Sequence, residues 1–271
     1  MINRRVTVST GSKALDALFG GYQSGTIMLF YSTSWCGKTT LATYIPFLNT
    51  YKHLKETGKL KDKTRFIMMD GDGGFDIDRA NEIWGNNLSS DDLKDLISKV
   101  EYTQPTEFDA QHKYVTEELK KKIEENKWEP AVISLDPMIA IYRGIVLRSS
   151  GAFKMATIGS YTGKLDLQLA ELRRLSLKYN AIATASTWSG SLVGKNLKAK
   201  DDQGNVIEQT KPEQPFIGGR EFGFLCKSII EIIAESESSP LRTARLWKFR
   251  SKLAGESCKF TLCNEGVKDV A

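Results

Sequence analysis

Short apolar runs alternate with longer mixed stretches over the first two thirds of the chain. Residues 27–31, 66–69, 131–135 and 181–185 are almost continuously apolar, and each ends in turn-forming or polar residues. Runs this short, with no polar alternate face, predict strands buried on both sides, which is the pattern of a parallel sheet covered by helices. Between them, residues 114–128 carry Val115, Leu119 and Ile123, and residues 165–179 carry Leu165, Leu169, Leu172 and Leu175. Apolar positions at three- and four-residue steps predict amphipathic helices. The charge run at 117–126 inside the first of these reads as a solvated helix face with i,i+4 pairs. After residue 226 the pattern changes: 226–234, 243–249 and 259–263 alternate or run apolar, separated by the turn signals ESESSP and AGES. These predict antiparallel strands closing one edge of the sheet.

The fold class is therefore α/β, with a mainly parallel central sheet flanked by helices and antiparallel strands at its C-terminal edge. No internal repeat or linker divides the 271 residues, so residues 1–271 read as one domain, long enough for a core that needs no covalent staple. One segment stands apart. Residues 189–217 are polar, rich in Gly and Pro and almost without apolar periodicity, and a loop this long inside a compact domain is usually functional or disordered.

Charge and cysteine content narrow the function classes. A formal net charge of +5 with 26% charged residues is mild, so any contact with nucleic acid has to come from local patches. Cys36, Cys226, Cys258 and Cys263 are spaced without a zinc-type pattern, and only two histidines, His53 and His112, accompany them. Free thiols in a reducing compartment are expected. No signal peptide opens the chain and no apolar run approaches the roughly twenty residues of a membrane span, so a soluble, cytoplasmic protein is expected, with no membrane partner.

The segment with the most chemistry is IMLFYSTSWCGKTT, residues 27–40, where an apolar run ends in a loop closing on Gly37, Lys38 and Thr39 and continues with helical spacing. A strand that aims a loop, backbone N–H groups that curl round phosphate oxygens, and a helix N-terminus whose dipole favours an anion together make a phosphate-binding loop. Its members are Ser34, Trp35, Cys36, Gly37, Lys38, Thr39 and Thr40. Lys38 suits the outer phosphates of ATP, and the Thr39 hydroxyl suits Mg2+. The pattern G-x-x-x-x-G-K-[ST] asks for glycine where this chain has Ser32, and a residue with a Cβ pays about 1 kcal/mol or more if that backbone is left-handed.

Carboxylates at other strand ends complete such a site. The run AVISLDP places Asp136 at the end of a buried strand, where an acid can hold Mg2+ through water opposite Thr39; the alternative is an acid that only starts a turn before Pro137. In FIMMDGDGGFD, Asp70 and Asp72 follow an apolar run among glycines, and Asp72 can orient or deprotonate an attacking water. A plain glycine-rich turn or a calcium-like loop are the alternatives, the latter short of three ligands.

These segments, in this order, resemble the RecA/RadA recombinase superfamily, and within it the short archaeal RadB-like paralogues and their KaiC-like relatives. STGSKALDALFGGYQSGTI is similar to the family's entry into its first strand, DGDGGFDIDR to its D-T-E-G-x-F-x-x-x-R segment, and LDPMIAIYRG to its Walker B segment. NAIATASTWSG, PFIGG, TARLWKFRS and CKFTLCNEGVKD resemble successive later segments, so the likeness runs nearly the whole length. It implies a RecA-type P-loop core that binds ATP and Mg2+. It also implies Asp72 in the place of a catalytic glutamate, Arg79 against the adenine, and Lys248 with Arg250 as a catalytic pair reaching a neighbouring subunit's ATP. Taken alone, Lys248 and Arg250 are alternate residues of a strand, hence on one face, and a solvated basic edge is the alternative.

Three departures weaken hydrolysis more than binding: Ser32 for glycine, Asp72 for glutamate, and Trp188 for the family's nucleotide-sensing glutamine. Single-stranded DNA is the expected partner, through Lys195, Lys198, Lys200 and Lys211 in the 189–217 loop with Trp188 at its base. Asp201, Asp202, Glu208 and Glu213 in the same loop nearly balance that charge. The segment from Arg148 through Lys154 to Lys164 is a second contact loop or a flexible connector. The resemblance implies a slow ATPase acting as an accessory paralogue in DNA recombination or repair, as a homo-oligomer with ATP at the subunit interface or beside a recombinase or other repair protein. The alternative is a KaiC-like ATP-binding regulator that works through protein partners without DNA.

Overall fold

The structure is a computed structural model and describes residues 5–150, 154–190, 198–200, 206–208, 215–218 and 220–270. Its strands in chain order are β1 (Thr7–Val8), β2 (Tyr22–Gln23), β3 (Ile27–Ser32), β4 (Thr64–Asp70), β5 (Val100–Thr103), β6 (Glu129–Asp136), β7 (Ile182–Trp188), β8 (Lys198–Lys200), β9 (Val206–Glu208), β10 (Ser228–Ala234), β11 (Leu241–Lys248), β12 (Ser257–Cys263) and β13 (Gly266–Asp269). The helices are α1 (Lys13–Phe19), α2 (Ile45–Glu56), α3 (Ile77–Gly85), α4 (Ser90–Ser98), α5 (Phe108–Lys113), α6 (Leu119–Glu125), α7 (Ala140–Arg148), α8 (Lys154–Tyr179) and α9 (Arg220–Leu225), with π-helical turns at Thr40–Tyr44 and Tyr114–Glu118.

Nine strands form one sheet in the order β13-β12-β11-β10-β3-β7-β6-β4-β5. The six strands from β10 to β5 run parallel, and β11, β12 and β13 add on antiparallel. Side chains alternate across the sheet, so each strand feeds two cores. Met28, Phe30, Phe66, Met68, Val132 and Ile182 face the layer of α1, α2 and α3, whereas Ile27, Leu29, Tyr31, Ile67, Met69, Ile133 and Leu135 face the layer of α5, α6 and α8. Carrying the first register to the strand ends puts Ser32, Asp70 and Asp136 on the α2 side at one edge of the sheet, whereas Trp188 packs against the other cluster. Parallel strands thus deliver their polar terminal residues together.

The helix after β3 is pinned to the sheet by its own irregularity. The chain turns helical at Lys38, and Pro46, which lacks an N–H, follows four residues after Ala42. The orphaned Ala42 carbonyl accepts instead from the hydroxyls of Thr184 at 2.5 Å and Ser134 at 3.1 Å. Here the Ile45 N–H reaches back five residues to the Thr40 carbonyl, a π turn of the kind that gathers at functional sites.

The opening TGSKALD segment is structural. Asp16 accepts from the Thr10 N–H and hydroxyl, both at 2.8 Å, and Ser12 caps α1. Asp269 accepts from the N–H groups of Lys13 and Ala14, both at 3.0 Å, so the last strand is tied to the first helix.

Several boundaries differ from the sequence reading. The helix expected over 114–128 starts earlier, as α5 from Phe108, and ends at Glu125, because Lys127 takes a left-handed φ of 54° before β6 begins. α8 begins at Lys154, so the stretch read as a contact loop or connector is helical from there to Lys164. Within the 189–217 segment, β8 and β9 pair as a short antiparallel hairpin rather than lying without secondary structure, and Lys198 and Lys200 stand on β8. Lys195, Lys211, Asp201, Asp202 and Glu213 lie outside the described residues. β5 and β13 add two edge strands that the apolar pattern missed. Among the described residues no helix is long and apolar enough to cross a membrane.

Candidate nucleotide site

The loop between β3 and the following helix closes one wall of a cleft of about 330 Å³, lined by Ser34, Trp35, Gly37, Lys38, Thr39, Thr40, Asp72, Asp136 and Trp188 among others. Ser32 is not strained. It is the last residue of β3, opposite Trp188 of β7, and carries no left-handed backbone. The left-handed residues of the loop are Trp35, at φ 65°, and Gly37, at φ 93°. Trp35 is 87% exposed. Gly37 has a second constraint, since a Cβ there would stand 2.6 Å from the Leu262 side chain.

Lys38 is buried, and its Nζ donates to Ser32 Oγ at 3.0 Å and to the Thr33 carbonyl at 2.8 Å. The serine that replaces the motif's glycine is therefore a ligand of the lysine. Burial draws the Lys38 ammonium below its ordinary range, against the opposing pull of Asp136. Cys36 is buried, with Sγ 3.2 Å from Thr33 Oγ1.

Asp136 ends β6 almost fully buried, in a nest of hydroxyls. Ser186 donates to its carboxylate, as does Thr43 Oγ1 to Oδ2 at 3.2 Å. Burial still pushes its pKa up. The Asp136 carboxylate is held by hydroxyls of β7 and of the helix that follows the phosphate loop rather than by its own turn. The Thr39 hydroxyl and the buried Asp136 carboxylate line one cleft as hard oxygen donors, and a hard cation offsets the burial of that charge, so the residues present fit Mg2+.

Asp70 and Asp72 play different parts. Asp70 is fully buried and organises the loop that follows it, accepting the N–H groups of Asp72, Gly73, Gly74 and Phe75 and the Tyr102 hydroxyl. Gly71 is required by close approach, since a Cβ there would stand 2.1 Å from the Pro137 carbonyl oxygen. This packing brings the exposed Asp72 to the cleft. Partial burial beside Asp136 and Asp70 pushes the Asp72 carboxyl up to about 6.

Trp188 lies between this cleft and a second one of about 600 Å³, lined by Gly71, Asp72, Phe108, Arg148, Tyr161 and Trp188 among others. The Arg143 guanidinium sits over its ring at 4.9 Å. Arg79, on α3, is engaged by Glu82 and by the Cys263 carbonyl at 2.7 Å, beside the Leu262 that packs on Gly37.

Lys248 and Arg250 are not brought to the cleft. Lys248 ends β11 and donates to the carbonyls of Gly223 and Cys226, the latter at 3.1 Å. Arg250 lies in the turn beyond the strand, so the two do not share a strand face as the spacing suggested. Burial draws the Arg250 guanidinium down, as do Arg5 and Arg173 nearby.

Sequence reasoning missed Arg242. At 5% exposure it is buried, and its guanidinium donates to the carbonyls of Cys36 at 3.2 Å and Trp35 at 3.3 Å. No local signal marks it, because an arginine on an antiparallel strand ordinarily faces solvent.

A strand-loop-helix phosphate cradle, a buried lysine and two carboxylates at the C-terminal edge of a parallel sheet define a P-loop core of RecA type. Comparison with known proteins names the branch. The Rad51 family model matches residues 2–270, and the chain belongs to that family. It is 28% identical over 267 residues to the DNA repair and recombination protein RadB of Methanosphaera stadtmanae, covering 98% of this chain and 97% of that protein. With the RadB protein of Thermococcus kodakarensis it shares 26% over 264 residues, 97% of this chain and 99% of the other. Among solved structures, the crystal structure of the RadB recombinase superposes with a TM-score of 0.69 over 97% of this chain and 99% of that one; at 22% identity this shows the fold alone. Rad51-family proteins are ATPases that bind ATP with Mg2+.

Proposed function

We propose that the protein binds ATP with Mg2+ at the 34–40 loop, hydrolyses it slowly, binds single-stranded DNA, and acts in recombination or repair as an accessory paralogue rather than as a strand-exchange enzyme. The observation that carries the reading is the meeting of Lys38, Thr39, Asp136 and Asp72 round one cleft, from three strand ends far apart in sequence. Full-length similarity to proteins named for DNA repair and recombination supports the process.

In this reading the loop N–H groups and Lys38 bind and orient the β- and γ-phosphates. Thr39 and Asp136 hold Mg2+, which supplies charge neutralisation to the phosphoryl oxygens. Asp72 orients the attacking water and takes up its proton. Aspartate is one methylene shorter than glutamate, and a water misplaced by about 1 Å can cost on the order of a hundredfold in rate. Lys248 and Arg250 can act only in trans. Arg242 touches the loop, and Lys248 stands six residues further along β11, about 20 Å at strand rise. With that pair in the role the resemblance implies, ATP lies at an interface between copies of the chain. Single-stranded DNA contacts Lys195, Lys198, Lys200 and Trp188, whose position beside the cleft couples DNA to nucleotide. The regulator that works through partners without DNA is not favoured, because the similar proteins are named for recombination and repair.

The test is ATP hydrolysis with and without single-stranded DNA, with Lys38→Ala in parallel and DNA binding followed by anisotropy in the same samples. Turnover stimulated by DNA and abolished in the variant is the expected result. Nucleotide binding with neither turnover nor DNA affinity at low salt sinks the reading.

A further inference from the structure

Arg242 is a charge buried without a counter-charge. Its guanidinium binds four carbonyl oxygens: those of Ser239 and Leu241 on its own turn, the latter at 2.9 Å, and those of Trp35 and Cys36 on the phosphate loop. Among the described residues no carboxylate lies within ion-pair distance of it. An arginine stripped of water and satisfied only by neutral acceptors is costly, because the charge itself stays uncompensated. Such a group persists where an anion completes it or where its geometry is needed.

Peptide geometry says what it does here. The Trp35–Cys36 and Cys36–Gly37 peptides are trans, since the one cis bond among the described residues is Asp136–Pro137. In a trans peptide the C=O and the next N–H point in opposite directions. Turning the carbonyls of Trp35 and Cys36 onto Arg242 therefore turns the N–H groups of Cys36 and Gly37 the other way, away from the guanidinium. Two successive N–H groups on one side of a loop whose residues Trp35 and Gly37 are left-handed form a nest for an anion. The same bonds hold Trp35 at a φ of 65°, which a tryptophan does not adopt unaided.

We propose that Arg242 is a positioning residue for the triphosphate. It clamps the outer side of the phosphate loop so that the inner N–H groups face the phosphates, and it puts a full positive charge behind them. The proposal rests on nucleotide binding at this loop and adds how the loop is held open for a polyanion. Because both contributions act on phosphate charge, the loss on removing Arg242 grows with the number of phosphates.

The experiment is calorimetric titration of wild type, Arg242→Met and Arg242→Lys with ATP, ADP and adenosine in Mg2+, beside thermal melts of each. Arg242→Met is expected to weaken ATP at least tenfold and ADP less, and to leave any adenosine binding unmoved. Arg242→Lys, which keeps the charge but has one head for two carbonyls, should restore part of the ATP affinity. Equal loss for all three ligands, or a lower melting midpoint with the ligand ladder intact, overturns the role. If Arg242→Met does not fold, the ladder in Arg242→Lys decides by the same criteria. Failure of the wild type itself to bind ATP removes the nucleotide reading and this one with it, whereas wild-type binding with an unchanged ladder removes only the role of Arg242.

Discussion

Replacing Asp70 with alanine removes the buried carboxylate that gathers the N–H groups of the segment carrying Asp72. Its Oδ1 accepts the N–H groups of Asp72, Gly73 and Gly74 at 3.1, 2.8 and 3.2 Å. Its Oδ2 accepts the Phe75 N–H and the Tyr102 hydroxyl, both at 3.0 Å. Residues 72–74 are exposed, so water replaces the carboxylate at three of these donors at little cost. Tyr102 is 44% exposed and its hydroxyl can turn to water as well. Phe75 is different, because it packs between Tyr44 and Tyr102 with ring centroids 5.4 and 5.7 Å away and is only half-exposed. Leaving its N–H dry costs about 1–3 kcal/mol, and the lost order of the loop brings the total to about 2–3 kcal/mol. At roughly 2–4 °C per kcal/mol for a chain of this size, the melting midpoint falls by about 4–12 °C.

Asp70→Asn separates charge from shape. An amide keeps one carbonyl oxygen for the three N–H groups on Oδ1 but turns an NH2 toward the Phe75 N–H, so its midpoint falls between wild type and alanine. ATP affinity, set by the 34–40 loop, stays within a factor of a few in both variants. Turnover drops on the order of a hundredfold, because Asp72 is no longer held. Differential scanning calorimetry and single-turnover hydrolysis read the two effects. A midpoint for Asp70→Ala within 1 °C of wild type, or turnover unchanged with the loop carboxylate gone, refutes the claim that Asp70 positions Asp72.

The Asp72 carboxyl is pushed up to about 6, so hydrolysis should fall off on the acid side with a half-point near that pH, while ATP binding at the same pH persists. Its folded pKa lies above the ordinary 3.8, so ionising it costs the fold. That penalty is absent below 3.8 and complete above about 6, and Asp72→Asn should melt higher than wild type at pH 8 with the gap closing toward pH 4. Gly71→Ala drives a Cβ against the Pro137 carbonyl and should lower the midpoint by the equivalent of about 1–3 kcal/mol, read by the same calorimetry; an unshifted midpoint would falsify the close approach. Trp35→Gly relieves a left-handed residue and should raise stability by up to about 1 kcal/mol, less the extra freedom glycine gives the unfolded chain, with ATP affinity kept; a lower midpoint argues that the indole packs on something. Arg250→Ala and Lys38→Ala, each inactive alone, should recover turnover when mixed if ATP sits between copies, and a mixture as inactive as its parts removes the trans role.

What the sequence made legible follows from how parallel strands work. Their C-terminal ends fall on one edge, so identifying the ends of three apolar runs already grouped the phosphate loop, Asp72 and Asp136, whereas the common side of Ser32, Asp70 and Asp136 emerges only from the strand registers. α8 was legible only in its second half, because Gly159 and Gly163 each cost a helix about 1 kcal/mol and no neighbour lies within 4 Å of where their Cβ atoms would be. Packing overrides that cost through Tyr161, edge-on to Phe108 at 4.9 Å, and Thr162, 3.1 Å from the Tyr142 hydroxyl.

Arg242 was beyond reach for a different reason. It stands 206 positions from the Cys36 carbonyl it binds, and nothing in LRTARLWK distinguishes it from Arg245, which pairs with Glu231 on the exposed side. Arg242 meets the loop only because β10 pairs with β3 and β11 turns back beside β10 at the level of Ala234, above the end of β3. Strand order is the information that single-strand patterns lack. The antiparallel strands therefore do more than close the sheet: they set Arg242 behind the phosphate loop and Leu262 against Gly37, while Lys248 is left about 20 Å away at the other end of the same strand. One strand thus holds the phosphate loop at one end and carries Lys248 at the other, out of reach of the same chain's cleft.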